Sequence, residues 1–333
     1  HLTIPCEMCI RDRTIAVWLI DGAAGAGWAG RLRAALAVGW WWGFGFFLAG
    51  LWWLGAAFLV EADKFAWAMP LGVVALPAGL AIFPALAFGG ARLIWPDGAG
   101  RILVLAVMLA LSEWLRGHVL SGFPWNVYGM MLAGEIHIAQ FASVAGLYGL
   151  TIVAIAIAAA PATLGSAGRW SVRWRAPVLA AAALAVLFGY GLWRVPAQPS
   201  PTVAGVKLRL MQPNLAQDAK FSPRNSEAIL AHYLALSDRA TSPTTLGVQD
   251  VTHLIWPESA FPFLLGRTPT ALARIAALLP PNATLITGAA RAGEALPGES
   301  RPPIFNSIQV VDDEGVIVSS YDKVHLVPFG EYL

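Results

Sequence analysis

The sequence predicts a bundle of membrane helices followed by an α/β domain outside the membrane. Hydrophobic residues make up 57% of the chain and charged residues only 13%, which is far from the composition of a soluble domain. The apolar residues are concentrated between residues 14 and 195, whereas residues 205–333 have ordinary globular composition. The proline-rich stretch 196–204 is typical of a linker between two domains.

The first residues do not fit the membrane domain. The chain begins without a methionine, and the run MCIRDR that ends at Arg13 resembles a translated sequencing adapter. We therefore interpret residues 1–13 as a non-native leader and expect 14–24 to be the end of an earlier helix. Cys6 and Cys9 form a lone CxxC pair, which does not supply the four ligands of a structural zinc site, so we predict no metal.

Five apolar stretches are long enough to cross the hydrocarbon core, which requires about 20 residues. These predicted crossings are residues 34–60, 66–88, 101–120, 138–163 and 177–195. Tryptophans near both ends of the first stretch are typical of anchoring at the membrane surface. Gly39 and Gly43 have GxxxG spacing, which predicts the close approach of a neighbouring helix.

The loop charges predict the orientation of these crossings, because short cytoplasmic loops are rich in Lys and Arg. Arginines cluster in three alternating loops, at Arg31, Arg33, Arg92, Arg101, Arg169, Arg173 and Arg175. These three loops therefore share the cytoplasmic side, and five crossings place everything after Val195 outside the cytoplasm. The nearly uncharged run 121–134 then lies on the outer side.

Glu113 and Arg116 lie three residues apart near the end of the third predicted crossing, on one helix face. Ionisable residues at that depth are functional candidates, but a neutralising structural pair is an equal alternative. The following loop, SGFPWNVYGM, is aromatic and turn-forming around Pro124 and Trp125. It is compatible with a return into the membrane surface and contact with lipid.

The second half predicts strands that alternate with helices. Predicted strands are KLRLMQPN, THLIWPE, ATLITGAA, IFNSIQVVD and VIVSSYDK, and predicted helices start at Ser222 and at residue 270. We expect an α/β domain with buried strands and helices on its outer faces.

Three ionisable residues stand in aromatic- and proline-rich motifs at strand ends. Glu258 lies in WPESAFPF, and Lys323 and Glu331 lie in YDKVHLVPFGEYL. A carboxylate desolvated by Trp256 and its aromatic neighbours Phe261 and Phe263 has a raised pKa and serves as a general base. An ordinary surface charge is the alternative for each residue taken alone.

Together these motifs resemble those of one family. WPES and YDKVHLVPFGEYL are similar to the glutamate and lysine motifs of the nitrilase (carbon–nitrogen hydrolase) superfamily. GFGFFLAGLWWL, SEWLRG, SGFPWNVYGM and MQPNLAQDAKF resemble motifs of its apolipoprotein N-acyltransferase branch. The resemblance covers roughly residues 14–333. It implies a multi-pass helical bundle followed by an α-β-β-α sandwich, here incomplete, on the periplasmic side of a bacterial inner membrane.

The resemblance also implies a reaction without metal or cofactor. An acyl chain passes from a membrane phospholipid to a cysteine, and then to the N-terminal amine of a diacylglyceryl-cysteine lipoprotein. Glu258 accepts the thiol proton, Lys323 stabilises the oxyanion, and Glu331 supports them. Substrate contacts are expected at Phe221 and Trp125. Asn214 is either a further contact or a strand-terminating turn residue.

The family's nucleophilic cysteine follows the lysine motif, so we expect it beyond Leu333 and expect this chain alone to be inactive. We expect a monomer. A net charge of +2 with dispersed arginines argues against a nucleic-acid partner.

One alternative to the acyltransferase function is a membrane-tethered amidase that uses water as the acceptor. Another is a transporter with Glu113 and Arg116 along its path, against which few ionisable residues occur in the crossings.

Overall fold

The structure is a computed structural model that describes residues 6–59, 62–198, 201–215, 223–242, 247–294 and 302–326. The chain divides into two compact units, His1–Pro199 and Ser200–Leu333. Their boundary falls within the predicted linker. Each unit is described by itself below.

The first unit is helical. Its longer helices are α1 (Cys6–Asp21), α2 (Gly27–Leu51), α4 (Met69–Leu80), α5 (Ile82–Leu93), α6 (Gly100–His118), α9 (Ala142–Ala159) and α11 (Arg175–Arg194). Short helices connect them: α3 (Ala62–Phe65), α7 (Met130–Ala133), α8 (Ile136–Ala139) and α10 (Trp170–Arg173). Short 3₁₀ segments extend several of these helices, as at Trp52–Leu59 after α2.

Four helical segments in the described residues are long and apolar enough to cross a membrane, namely Gly27–Leu59, Ala62–Leu93, Ala142–Gly165 and Trp170–Arg194. They correspond to four of the five predicted crossings. The predicted third crossing forms α6, a helix of 19 residues that contains three charged side chains and is not among the four. The count of five therefore stays a prediction.

The core of the first unit runs along α6. Its buried residues recur at intervals of three and four and include Leu105, Leu109, Glu113 and Arg116. This stripe packs against buried side chains of α1, α5 and α9, among them Val17, Phe88 and Ile155. On the opposite side of α6, large apolar side chains are exposed, namely Leu103, Val107 and Leu111. Such a surface is typical of a helix that faces lipid.

The predicted close approach at the GxxxG glycines is confirmed. They face α5, where a β-carbon added at Gly39 would lie 2.7 Å from Cβ of Phe88, and one at Gly43 would lie 2.7 Å from Cγ of Pro84. Only glycine leaves room for the two helices to pack at this distance.

The helix α1 continues through the predicted end of the leader at residue 13 without a break. Arg13 is fully buried, and its three side-chain nitrogens have no hydrogen-bond partner in the described part of the chain. Its guanidinium carbon lies 4.1 Å from the ring centroid of Tyr128. The start of the membrane domain at residue 14 is thus not a structural boundary. A buried arginine without hydrogen bonds is unusual in a native core, and the assignment of residues 1–13 as non-native stays a prediction.

The second unit contains a five-stranded sheet in the order β1-β2-β3-β4-β5. The strands are β1 (Leu208–Leu210), β2 (His253–Ile255), β3 (Thr284–Ala292), β4 (Ile304–Val311) and β5 (Ile317–Asp322). Strands β1, β2 and β3 run parallel to one another, whereas β4 is antiparallel to both of its neighbours, β3 and β5. Helices α12 (Ser226–Asp238) and α13 (Pro269–Leu278) follow β1 and β2. All five predicted strands and both predicted helices are present, although β1 and β2 are only three residues long.

The two helices share one core with one face of the sheet. Tyr233 of α12 and Ile275 of α13 pack in this core with Leu254, Leu285 and Val311, side chains from three strands. In the described residues both helices lie on this one face, so helices on a second outer face stay a prediction.

The other face of the sheet is apolar and exposed. It carries large side chains from three strands, with Leu208, Leu210, Ile304, Ile308 and Tyr321 between 52% and 73% exposed. We call this surface the open face. The described residues therefore form one helix layer on one sheet layer, and the second half of the predicted sandwich stays a prediction.

Candidate active site

Glu258 lies in the short segment that follows β2. Trp256 anchors this segment, because its ring is buried and its Nε1 donates a hydrogen bond to Oγ of Ser237 at 2.9 Å. Beyond it, the backbone N–H of Ala260 donates to the carbonyl of Gly288 at 2.9 Å. Ser259 has a φ of 49°, in the left-handed region. This sharp turn directs Glu258 away from the core.

Gly288 of β3 makes room for that turn. A β-carbon added there would lie 2.5 Å from Cα of Glu258 and 2.8 Å from the backbone nitrogen of Ser259. The backbones of the turn and of β3 are therefore in direct contact, which only glycine allows. Sequence reasoning did not single out Gly288, although an isolated glycine in a strand is a signal of close backbone approach.

Lys323 follows directly after the last residue of β5. Its backbone N–H donates to the carbonyl of Asn306 at 2.8 Å, which extends the pairing with β4. Its Nζ lies 3.3 Å from Oε1 of Glu258. The fold thus brings together two predicted site residues that are 65 positions apart in the sequence.

Asn306 is a third member of the site that the sequence analysis missed. It lies on β4 opposite Ala290, and its Nδ2 donates to Oε1 of Glu258 at 2.8 Å. One carboxylate oxygen therefore receives hydrogen bonds from both Lys323 and Asn306. The available signal was that Asn306 is the one polar residue among the alternate positions of β4 that face the open side, with Ile304, Ile308 and Val310.

These three side chains line a depression of about 390 Å³ on the open face, together with Ile286, Ile308 and Tyr321. A carboxylate, a lysine and an apolar wall in one place can accept a proton, stabilise an oxyanion and hold an acyl chain. A larger depression of about 570 Å³ lies at β1. Its charged residues are Lys207, Arg209, Arg239 and Asp250, and none of the predicted catalytic residues lines it, so the smaller depression is the better candidate.

The expected burial of Glu258 by aromatic rings is wrong. Its side chain is 65% exposed, whereas Trp256 and Phe261 lie in the helix-covered core on the other side of the sheet. Phe263 also packs against that core. Trp256 lies before the turn at residues 258–259 and Phe261 after it; both rings enter the core while the turn carries Glu258 at the surface, so the aromatic sequence context did not produce burial.

A second ionic cluster surrounds Asp322, the residue before Lys323. The guanidinium of Arg291 makes two hydrogen bonds to the carboxylate of Asp322, the longer one from Nε at 2.8 Å. The hydroxyl of Ser307 donates to the same carboxylate at 2.6 Å. These partners, Arg291 first, lower the pKa of Asp322 to about 2. The cluster ties β3, β4 and β5 together next to the lysine.

Among the remaining predicted site residues, Asn214 does not line this depression. Asn214 follows β1, is exposed and has a φ of 50°, which agrees with a turn residue at the end of a strand. Trp125 belongs to the first unit. Phe221 and Glu331 lie outside the described residues.

A carboxylate–lysine pair on a sheet, in a chain that also carries four apolar segments long enough to cross a membrane, indicates the class of membrane-bound enzymes. Residues 15–160 match the family model of the apolipoprotein N-acyltransferase N-terminal domain. The chain is 51% identical over 320 residues to an apolipoprotein N-acyltransferase of Rhodopseudomonas palustris, covering 96% of this chain and 60% of the relative.

Two further relatives carry the same name. The one from Bradyrhizobium diazoefficiens is 51% identical over 320 residues, covering 96% of this chain and 59% of the relative. The one from Sinorhizobium fredii is 46% identical over 322 residues, with 95% and 59% covered. These findings confirm the resemblance to the apolipoprotein N-acyltransferase family along nearly the whole chain. The chain spans about 60% of the length of these relatives.

Proposed function

We propose that this chain is the N-terminal part of an apolipoprotein N-acyltransferase. The complete protein moves an acyl chain from a membrane phospholipid, through a cysteine thioester, to the N-terminal amine of a diacylglyceryl-cysteine lipoprotein. The observation that carries this proposal is the contact of Lys323 and Asn306 with one oxygen of Glu258 on the open face. The three relatives, which are 46–51% identical over 95–96% of this chain, support it.

In this scheme Glu258 takes the proton of the cysteine thiol, and the thiolate attacks the ester carbonyl of the phospholipid. Lys323 stabilises the oxyanion that forms, and Glu258 returns the proton to the departing alcohol of the lysophospholipid. The amine of the lipoprotein then attacks the thioester and regenerates the thiol. Asn306 holds the carboxylate of Glu258 in position by its 2.8 Å hydrogen bond. The scheme uses no metal or cofactor.

The family resemblance supplies the remaining roles. It puts the nucleophilic cysteine after the lysine motif. Glu331 supports the lysine, and Phe221 and Trp125 contact substrate. For Asn214, the left-handed backbone favours the turn role over a substrate contact.

The open face supports the sandwich part of the proposal. Monomeric soluble domains rarely expose a continuous apolar surface of this kind. A second sheet supplied by the rest of the protein would cover Leu208, Leu210 and Ile308. It would also bring a cysteine to the depression at Glu258. The membrane unit, the alternating arginine-rich loops and the nature of both substrates favour a monomer in the bacterial inner membrane with this domain on the periplasmic side.

The hydrolase alternative has no observation in its favour. The fate of the thioester in the full-length protein distinguishes a hydrolase from a transferase. With a phospholipid and a diacylated lipopeptide as substrates, we expect transfer to the amine and little free fatty acid. Release of the fatty acid to water at a comparable rate would contradict the transferase proposal.

The proposed role of Lys323 gives a direct prediction. In the full-length protein Lys323→Ala should lower acyl transfer by at least about 10²-fold, because an oxyanion partner is lost. The matched control is Lys207→Ala, which removes another lysine that pairs with a carboxylate in the same unit, at 2.7 Å from Asp250. Transfer should be measured with a fluorescent acyl donor. Near-normal turnover of Lys323→Ala would refute the assignment.

A further inference from the structure

The charged pair of α6 is almost completely buried. Nη2 of Arg116 lies 2.9 Å from Oε1 of Glu113, and the side chains are 1% and 2% exposed. Such a pair loses most of the hydration of both ions, and an apolar pair of similar size is often at least as stable. Burial of this pair therefore needs a reason beyond stability, and its other hydrogen bonds provide one.

Three of those hydrogen bonds reach one loop, residues 123–129, and a longer one comes from Oγ1 of Thr151, 3.5 Å from Oε2 of Glu113. Nη1 of Arg116 donates to the carbonyl oxygens of Phe123 and Trp125, the latter at 2.7 Å. Oε2 of Glu113 accepts the backbone N–H of Tyr128 at 3.0 Å. The two ions thus hold three backbone groups of the loop. The N–H of the next residue, Gly129, donates to Oγ1 of Thr151 in α9 at 3.0 Å.

The loop is held in a conformation that it would not keep by itself. Asn126 has a φ of 56° and Leu120, just before the loop, has a φ of 58°. Non-glycine residues in this region cost of order 1–3 kcal/mol each unless the surroundings impose the conformation. The ion pair supplies that constraint from inside the bundle.

The backbone of this loop is bound from inside the bundle and the ring of Tyr128 is buried, whereas the ring of Trp125 lies at the surface. The ring of Trp125 stacks on Trp53 with a centroid distance of 5.2 Å and an angle of 13° between the planes. Phe123 packs against the same ring at 5.5 Å. Trp53 and Trp125 remain 37% and 44% exposed, so the stack forms part of the surface of the membrane unit.

We propose that Glu113 and Arg116 are positioning residues that fix the stacked rings of Trp53 and Trp125 as a rigid aromatic surface for the acyl chain of the phospholipid donor. The inference rests on the proposed function. It gives the pair a role different from an ion path, because its hydrogen bonds are used by the loop. Arginine is required at position 116, since a lysine ammonium does not reproduce the planar fork that reaches two carbonyls and a carboxylate.

The first test measures the position of the rings directly in this chain. The protein is labelled with 5-fluorotryptophan in lipid nanodiscs, and Trp53→Phe and Trp125→Phe assign the two ¹⁹F resonances. Arg116→Lys and Glu113→Gln should shift both resonances, because the stack opens and its ring current is lost. The matched control is Arg101→Lys at the other end of α6, where the arginine pairs with Asp21 at 2.7 Å. Unmoved resonances in Arg116→Lys would overturn the inference.

The second test measures use of the donor by the full-length protein. Arg116→Lys should raise KM for the phospholipid in thioester formation about tenfold, with kcat and the thermal midpoint close to those of Arg101→Lys. Trp53→Ala, which leaves the ion pair intact, should raise the same KM. An unchanged donor KM in both variants would overturn the inference even if the resonances move.

The two proposals fail in different ways. If the unmodified full-length protein forms no thioester from phospholipid, the proposed function fails, whatever the resonances show. If it forms the thioester and these variants use the donor normally, only the positioning role fails.

Discussion

Gly288 controls the position of the proposed general base through a backbone contact. A β-carbon at this residue would lie within 2.5–2.9 Å of three backbone atoms of the Glu258 turn. Gly288→Ala should therefore displace the turn and lower acyl transfer of the full-length protein by about 10²-fold, as misplacement by 1 Å does. The strands should remain paired, because the contact lies beyond the sheet core.

The control for this prediction is Gly266→Ala in the same unit, where an added β-carbon meets only Cδ1 of Ile317 at an ordinary 3.5 Å. The acyl-transfer rate of each variant measures the effect on activity, and far-ultraviolet circular dichroism checks that the fold is retained. Equal activity of Gly288→Ala and Gly266→Ala would show that the turn has space to move.

Asp322 gives the second unit a defined response to acid. Arg291 and Ser307 lower its pKa to about 2, below the ordinary value of 3.8. Its contribution to stability is therefore complete above about pH 4 and is lost as the pH falls towards 2. The side chain is about a third exposed, which limits the size of the effect.

At pH 7, where Asp322 is ionised, we expect the thermal midpoint of the wild-type protein to exceed that of Asp322→Asn. The difference between the two midpoints should shrink between pH 4 and pH 2. Differential scanning calorimetry across this range measures both quantities. A constant difference from pH 7 to pH 2 would contradict the assigned pKa.

Among the secondary structure elements, α2 and α5 pack closely where Gly39 and Gly43 of α2 face α5. Gly43→Ala should force its new methyl group against Pro84, whose Cγ lies 2.7 Å from the site, and destabilise the membrane unit by about 1–3 kcal/mol. Gly45 lies on the same helix and has no neighbouring atom within 4 Å of an added β-carbon, so Gly45→Ala is the matched control.

Thermal unfolding in detergent compares the two alanine variants. Because alanine favours helix over glycine by about 1 kcal/mol, Gly45→Ala should be neutral or slightly stabilising. A similar gain in thermal stability for Gly43→Ala would mean that α2 and α5 can move apart without a loss of stability.

For the whole molecule, the open question is whether α6 crosses the membrane. Its 19 residues span about 28 Å, close to the thickness of the hydrocarbon core. Two of its three charged residues, Glu113 and Arg116, neutralise each other inside the bundle. With α6 as a crossing, the arginine-rich loops share one side; without it, Arg169, Arg173 and Arg175 lie on the side opposite to Arg31.

A topology experiment tests this orientation. Reporter enzymes that work only outside the cytoplasm should be active when fused after Gly134 and after Pro201, and inactive when fused after Arg169. Activity after Arg169, or inactivity after Gly134, would mean that α6 does not cross. A fusion after Pro201 that works only in the cytoplasm would place the second unit on the wrong side for the proposed reaction.

The sequence by itself determined the two-part architecture, all five strands of the second unit and the identity of Glu258 and Lys323. Apolar stretches of membrane length, alternating strands and motif residues are local properties that each segment carries alone. The GxxxG contact was predictable for the same reason, since the spacing of Gly39 and Gly43 implies a shared helix face.

The tertiary structure decided what depends on distant segments. It showed Asn306 and Gly288 at the site, because their roles arise only when β3 and β4 align beside the Glu258 turn. It placed Glu258 on the exposed side of the sheet, at a turn whose flanking rings, Trp256 before it and Phe261 after it, both enter the core. It showed that Glu113 and Arg116 bind the backbone of a loop, a contact that leaves no periodic signal in the sequence because the partners lie 7 to 15 residues away.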